Sequence, residues 1–254
     1  ETAFAVVSAE VTASVKLLDM RLFGVRFTSD HGVLRDETTN WVTTGEIYDD
    51  ILPEWCKNHD TGVARNIPIS HTKSTRIYSK VLLECKYQGP AFEGRLYGNR
   101  NGEEPAFRWS AACQIQPTGE VTTLQIFPVS ADGPLVNNIA TLEESIHWQF
   151  QVDSDGPVID LGNSGPHKIY VTYGVPDPPE ACSEIRLRTV CDWAEGVTSL
   201  RDIADAIGPD ATSKFNPIHC YPTEPWMAMQ DGADCITLVL LMRSALGLTG
   251  VPID

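Results

Sequence analysis

The stretch that decides the fold class is Ser145-Ile146-His147-Trp148-Gln149-Phe150-Gln151-Val152, in which apolar and polar residues alternate. A period of two places every second side chain on the same face of a β-strand, so one face is buried. Turn clusters of Gly, Pro, Asn and Asp separate further β-rich runs. These runs are 77–85, 93–98, 107–113, 122–127 and 168–173, and the segment from Phe4 to Phe27 also suits strands. We therefore predict an antiparallel β-sandwich-like domain over residues 1–176.

A proline-rich break, Pro176-Asp177-Pro178-Pro179-Glu180, follows the last predicted strand. Prolines at this density continue neither a strand ladder nor a helix interior. We place a domain boundary here, and after it the hydrophobic period becomes helical. The predicted fold class is therefore α+β, with a helical second domain over residues 177–254.

Three helices are predicted in the second domain. The first covers about 185–194, and the second begins after a Ser199 cap and is stopped by Gly208-Pro209. An irregular, proline-rich stretch is predicted over 209–230. The last helix runs from about 234 to 246 and is apolar nearly all round, which predicts that it is buried.

Composition excludes several classes of function. The 254 residues carry a formal net charge of −15, which disfavours nucleic acid and anionic membrane surfaces as partners. No segment approaches the roughly 18 consecutive apolar residues of a membrane span, and the start has no basic segment typical of a signal peptide. We expect a soluble protein without membrane insertion, and leave its compartment and oligomeric state open.

The seven cysteines include no C-x-x-C pair. The odd count does not suggest a disulfide framework, and the spacing does not suggest structural zinc. We predict neither a metal nor a cofactor. Most of these thiols are expected to be buried and unreactive.

One cysteine has a sequence context suited to chemistry, Asp231-Gly232-Ala233-Asp234-Cys235. It places Cys235 after a glycine-containing turn and at the start of the last helix. The unpaired N–H groups and partial positive charge of a helix N-terminus favour the thiolate, which is the nucleophilic species. The alternative is a small buried thiol, with Asp231 and Asp234 as plain caps whose negative charge opposes the thiolate.

These residues, the apolar helix with Arg243, and the following Gly250-Val251-Pro252 resemble the nucleophile helix of transglutaminase-like enzymes, a branch of the papain-like cysteine enzymes. In that family the glycine of Gly-Ile-Pro lies fifteen positions after the cysteine, as Gly250 does here. The similarity covers about residues 180–254, the first half of the catalytic core. Two departures are Gly232, three rather than two before the cysteine, and Gly247-Leu248-Thr249 within the family's uninterrupted helix.

The resemblance implies a Cys-His-Asp triad in which Cys235 attacks an amide carbonyl of a protein or peptide. The backbone N–H of Cys235 would help to form an oxyanion hole, with Gln230 or Trp226 as a second donor. Hydrolysis is favoured over crosslinking, by analogy with bacterial members. The His and Asp partners would lie beyond Asp254, so we expect the chain to be a fragment. None of its six histidines matches the motif; His219 is the nearest in sequence.

Two other functions stay open: a non-catalytic binding or assembly protein that keeps the fold as a scaffold, and a β-sandwich adhesion or carbohydrate-binding module. The second would need an aromatic platform. We instead predict that the tryptophans of the first domain pack in its core; they are Trp41, Trp55, Trp109 and Trp148. Asp153-Ser154-Asp155-Gly156 and Gly162-Asn163-Ser164-Gly165 are predicted turns, in preference to a calcium loop and a phosphate cradle.

Overall fold

A computed structural model describes residues 17–27, 32–34, 54–100, 108–176, 181–214, 216 and 225–252. The strands are β1 (Leu17–Phe27), β2 (Gly32–Leu34), β3 (Trp55–Asn58), β4 (Gly62–Asn66), β5 (Ile69–Thr72), β6 (Tyr78–Gln88), β7 (Phe92–Arg100), β8 (Arg108–Ile115), β9 (Thr122–Ala131), β10 (Ala140–Val152), β11 (Val158–Thr172) and β12 (Ala181–Ser183). The helices are α1 (Glu184–Trp193), α2 (Leu200–Thr212), α3 (Ala228–Asp231) and α4 (Cys235–Leu248), with a 3-10 helix at Pro225–Met227.

Ten strands form one sheet in the order β4-β3-β1-β6-β9-β8-β7-β10-β11-β5. Its strands β4 and β5 are at opposite ends of this order, yet only Ile67 and Pro68 separate them in the chain, so the sheet curls back on itself. The Asn66 side-chain amide donates to the Pro166 carbonyl across the closure, at 2.8 Å. The predicted mostly-β first part is confirmed, but the sheet is mixed, because β11 pairs with β5 in parallel.

The alternation that predicted the fold is present in β10. Ile146, Trp148, Phe150 and Val152 are buried in the sheet core while the residues between them are more exposed. Trp55 and Trp109 also lie in this core, which confirms the prediction for these tryptophans; Trp41 lies outside the described residues. The described tryptophans of the first part of the chain therefore offer no exposed platform.

The predicted turn at 162–165 is wrong, because β11 runs through it without a break. Gly162 and Gly165 have φ values of 80° and 108°, which glycine adopts without steric cost. Register shifts in the β10–β11 ladder occur at this level, so the glycines make bulges rather than a reversal. The turn predicted at 153–156 is confirmed.

The helices follow the sequence prediction with two corrections. Helix α2 does not stop at Gly208-Pro209 but continues to Thr212 with Pro209 inside it. Burial of Ala211 at 1% exposure explains the extra turn, because packing outweighs the one hydrogen bond that proline forgoes. The stretch predicted as irregular also contains the 3-10 helix and α3. Among the described helices, none has both the length and the apolarity that a bilayer crossing requires.

The helices form a second hydrophobic cluster that includes two residues of the sheet region, Ile139 and Tyr170. The Tyr170 hydroxyl donates to Glu184 Oε1 at the start of α1, at 3.2 Å. Lys73 Nζ donates to the Thr198 carbonyl at 2.6 Å. These contacts fix the helices on the ends of β10 and β11. The division into two domains at residue 177 stays a prediction.

Candidate active site at the start of helix α4

The turn that leads into α4 is held by hydrogen bonds to the segment after α2. Ala233 N–H donates to the Lys214 carbonyl at 2.8 Å, and Asn216 N–H donates to the Ala233 carbonyl at 2.7 Å. Gly232 has φ 73°, and a Cβ there would lie 2.7 Å from the Lys214 carbonyl oxygen. Only glycine fits such a position. The glycine two residues before the N-cap is therefore a structural requirement of this turn.

Asp234 is the N-cap of α4, since its Oδ1 accepts from the Thr237 N–H at 2.8 Å. Cys235 follows as the first residue of the helix, and its side chain is exposed. By contrast, Cys191 in α1 is 1% exposed, and burial raises the pKa of its thiol. Burial also raises the pKa of Cys113 to about 11. Cys235 is therefore the most exposed of these three thiols.

The composition of helix α4 predicted that it is buried on all sides, and this prediction is wrong. Leu238, Leu241 and Ala245 pack in the helical core, but Ile236 and Val239 are 61% and 67% exposed. Helical spacing puts Cys235, Ile236 and Val239 on neighbouring parts of one surface. The candidate nucleophile therefore adjoins an exposed apolar patch, formed by Ile236 and Val239.

The C-terminal end of α4 explains the fifteen-residue spacing. Val251 N–H donates to the Leu246 carbonyl and Gly250 N–H to the Gly247 carbonyl, the two bonds of a Schellman cap. Gly250 has φ 78°, and a Cβ there would lie 2.0 Å from the carbonyl carbon of Gly174. The helix is continuous through Gly247 and Leu248. The spacing thus corresponds to the length of a capped helix docked on the end of the sheet.

Trp226 and Gln230 occupy different environments. The Trp226 ring is 1% exposed, and its indole N–H donates to Ser244 Oγ at 2.8 Å. Ser244 is nine positions after Cys235, about 13 Å along the helix axis. The indole N–H of Trp226 is therefore already bonded to a side chain that lies about 13 Å along the helix from Cys235. Gln230 lies exposed on α3, close in sequence to Cys235, and remains the predicted second donor.

The four described histidines belong to the sheet region, and each has a side-chain partner there. His59 pairs with Glu84 and His71 with Thr75. His147 contacts Asn163, and buried His167 contacts Ser164. His31 and His219 lie outside the described residues. Sequence reasoning missed Ser244 and Gly174 as positioning residues, because no local pattern marks contacts between distant segments.

Within the described ranges, no group of three or more His, Cys, Asp or Glu side chains is arranged to hold a metal ion. Comparison with known proteins gave no significant match to a family model, a curated protein or a solved structure.

Proposed function

We propose that Cys235 is the nucleophile of a transglutaminase-like cysteine enzyme that acts on amide bonds of proteins or peptides, with hydrolysis favoured over crosslinking. One observation carries the proposal: the thiol is exposed at the first residue of a capped helix. There the unpaired N–H groups of the first turn support both a thiolate and the negative charge of a tetrahedral intermediate.

In the proposed reaction the Cys235 thiolate adds to the amide carbonyl and forms a C–S bond. The carbonyl oxygen becomes an oxyanion that accepts from the Cys235 backbone N–H. The C–N bond then breaks as the amine leaves with a proton from an acid. Water adds to the thioester, and loss of the thiolate gives the carboxylic acid; an amine in place of water would give a crosslink.

This reaction requires a base beside Cys235. The described histidines contact side chains of the sheet region, so the proposal takes the base from residues other than these four. His219 is the candidate nearest in sequence. The apolar patch of Ile236 and Val239 next to Cys235 is a surface on which polypeptide carrying the base would pack.

The test is Cys235→Ala and Cys235→Ser in the native-length protein, with Cys56→Ala on β3 as the matched control. Dimethylated casein is the substrate, since hydrolysis then appears as new amines and crosslinking as incorporated cadaverine. We expect both Cys235 variants to lose at least about a thousandfold in turnover, while the control keeps its activity. Unchanged turnover in Cys235→Ala, with all variants folded, would remove the nucleophile assignment.

The exposure of Ile236 and Val239 also favours a second candidate, an assembly protein that uses this fold as a scaffold. In that case Ile236→Asp should abolish association with a partner, and Cys235→Ala should not matter. Light scattering and turnover measured on the same two variants separate the two functions. Loss of turnover in Cys235→Ala supports the enzyme, and loss of association in Ile236→Asp alone supports the scaffold.

A further inference from the structure

An open groove of about 500 Å³ crosses the outer face of strands β8, β7 and β10, far in sequence from Cys235. We name it the Tyr97 groove. Its polar lining includes Glu93, Arg95, Tyr97, Gln114, Gln151 and Asp153. Strand β7 alternates strictly here, so Phe92 and Leu96 enter the core while Glu93, Arg95 and Tyr97 face outward.

The floor of the Tyr97 groove is preorganised. The Tyr97 hydroxyl donates to Gln151 Oε1 at 3.3 Å, and Gln151 Nε2 donates to the Ser154 carbonyl at 2.9 Å. This chain of bonds fixes the tyrosine ring and the amide together. Side chains held in this way bind a ligand with less loss of conformational entropy.

The groove also offers unused hydrogen-bonding groups. Within the described part of the chain, the guanidinium of Arg95 and the side-chain amide of Gln114 make no hydrogen bond or ion pair. Arg95 lies opposite Ala112 in the β7–β8 ladder, and Tyr97 lies opposite Ser110. These small side chains on β8 leave the guanidinium and the tyrosine ring accessible from one side.

We propose that the Tyr97 groove binds a neutral oligosaccharide. A sugar presents pairs of hydroxyl groups that can donate to a carboxylate and accept from a guanidinium or an amide, and the groove supplies all three types. A pyranose ring also has an apolar face of C–H groups, which can pack against the Tyr97 ring.

The charges in the groove select against other ligands. Carboxylates of Glu93 and Asp153 accompany the single guanidinium of Arg95, and the whole chain carries a net charge of −15. This balance repels phosphate groups and acidic sugars. Both edges of β7 are already paired, with β8 and with β10. A peptide therefore finds no unpaired backbone on β7 to extend the sheet, although the ladder of β8 with β9 covers only Trp109 and Ser110.

The test uses the full chain and four neutral hexasaccharides as probes: cellohexaose, xylohexaose, mannohexaose and maltohexaose. Binding is measured by calorimetry and by amide chemical shifts. We expect saturable binding of at least one probe, with shifts centred on Arg95, Tyr97 and Gln151. Tyr97→Ala should weaken it by about tenfold or more. The matched control is Tyr78→Ala, because Tyr78 is an exposed tyrosine on another strand, and it should bind like the wild type.

Three results would overturn the proposal. One is the absence of saturable binding by all four probes at about 20 mM in a folded protein, well above the millimolar Kd of a weak site. A second is binding that Tyr97→Ala leaves unchanged. A third is tighter binding of hexagalacturonate or of an acidic peptide in the same groove. Because none of these measurements involves Cys235, their outcome is independent of the proposed amidase activity.

Discussion

The sheet core and the helical core of this protein bury different kinds of polar side chain. The sheet core encloses side chains that titrate, since Glu54 and His167 are each 3% exposed. In the described helical region, the buried polar side chains are hydroxyls such as Thr237 and Thr249. The helices there depend on caps and on close backbone contacts at Gly232 and Gly250. The buried Tyr170 hydroxyl and Cys191 thiol of the helical core have pKa values raised by burial, so they titrate only in base. Acid should therefore act first on the sheet, and changes of backbone geometry on the helices.

His167 shows how the sheet core holds a polar group. The Trp148 indole N–H donates to Ser164 Oγ at 2.8 Å, and that oxygen lies 2.7 Å from His167 Nε2. Ser164 Oγ has two lone pairs, so beside the bond from the indole it donates to Nε2 or accepts from it according to the imidazole tautomer. The Phe27 ring packs edge-on against His167 at 4.9 Å. Burial lowers the pKa of His167 to about 3.

The largest predicted effect is acid destabilisation through His167. Its folded pKa lies below the unfolded value of 6.5, so its contribution is complete above pH 6.5 and is lost as the pH falls toward 3. The loss amounts to about 5 kcal/mol of unfolding free energy over that window. Urea denaturation of the wild type and of a variant without His167, at a series of pH values, measures it as the difference between the two profiles.

His167→Gln is the matched variant, since glutamine can accept from Ser164 but does not titrate in this range. Between pH 6.5 and 3 the slope of unfolding free energy against pH should fall by the amount that corresponds to about one bound proton. Hydrogen exchange should show that acid weakens protection in β10 and β11 before α4. Simultaneous loss in both regions would mean that the two cores unfold as one unit.

Much of this comparison was accessible from sequence. Alternation in 145–152 predicted the buried face of β10, and the Ser199 and Asp234 caps predicted helix starts, because these signals are local. The curl of the sheet and the contact of Gly174 with Gly250 were not predicted, since they join segments that are distant in the chain. The exposed side of α4 was missed for the same reason: composition gives the apolarity of Ile236 and Val239 but not what covers them.

The second prediction concerns Gly250. Gly250→Ala would add a Cβ against the Gly174 backbone at a positive φ, which should cost about 3 to 4 kcal/mol of unfolding free energy. Gly196 is the matched control: it has φ 80°, but nothing lies within 4 Å of its added Cβ. Gly196→Ala should cost about 1 kcal/mol. Equal losses in urea denaturation would show that φ alone matters and that the docking of α4 on the sheet does not.

The third prediction concerns Glu54. Its titration lowers the stability as the pH rises, whereas that of His167 increases it. Glu54 Oε2 accepts from the Phe27 N–H at 3.0 Å, and Oε1 lies 3.9 Å from Arg26 Nε. Burial nevertheless raises its pKa from 4.5 to about 7. The folded state therefore binds the proton more tightly, and stability declines by about 3 kcal/mol as the pH rises from 4.5 to 7.

Glu54→Gln keeps an acceptor for the Phe27 N–H and removes the charge. In this variant the unfolding free energy should no longer decline between pH 4.5 and 7. The increase in unfolding free energy with pH that His167 causes should then be seen alone. In the wild type the two slopes oppose each other between pH 4.5 and 6.5, where stability should be nearly flat. A variant with the same pH profile as the wild type would show that Glu54 is not the group responsible.

The smallest predicted effect separates the two roles of Asp234, as a cap and as a charge beside Cys235. Asp234→Ala removes the acceptor for the Thr237 N–H and should cost about 1 kcal/mol of unfolding free energy. Asp234→Asn keeps a good cap, so its stability should match the wild type. It also removes a negative charge next to the thiol, which should raise the rate of Cys235 alkylation by iodoacetamide about threefold at neutral pH. Peptide mass spectrometry follows Cys235 against buried Cys191 as an internal reference. A rate unchanged in Asp234→Asn would mean that solvent screens this carboxylate from the thiol, and that the helix N-terminus alone sets the charge environment of the candidate nucleophile.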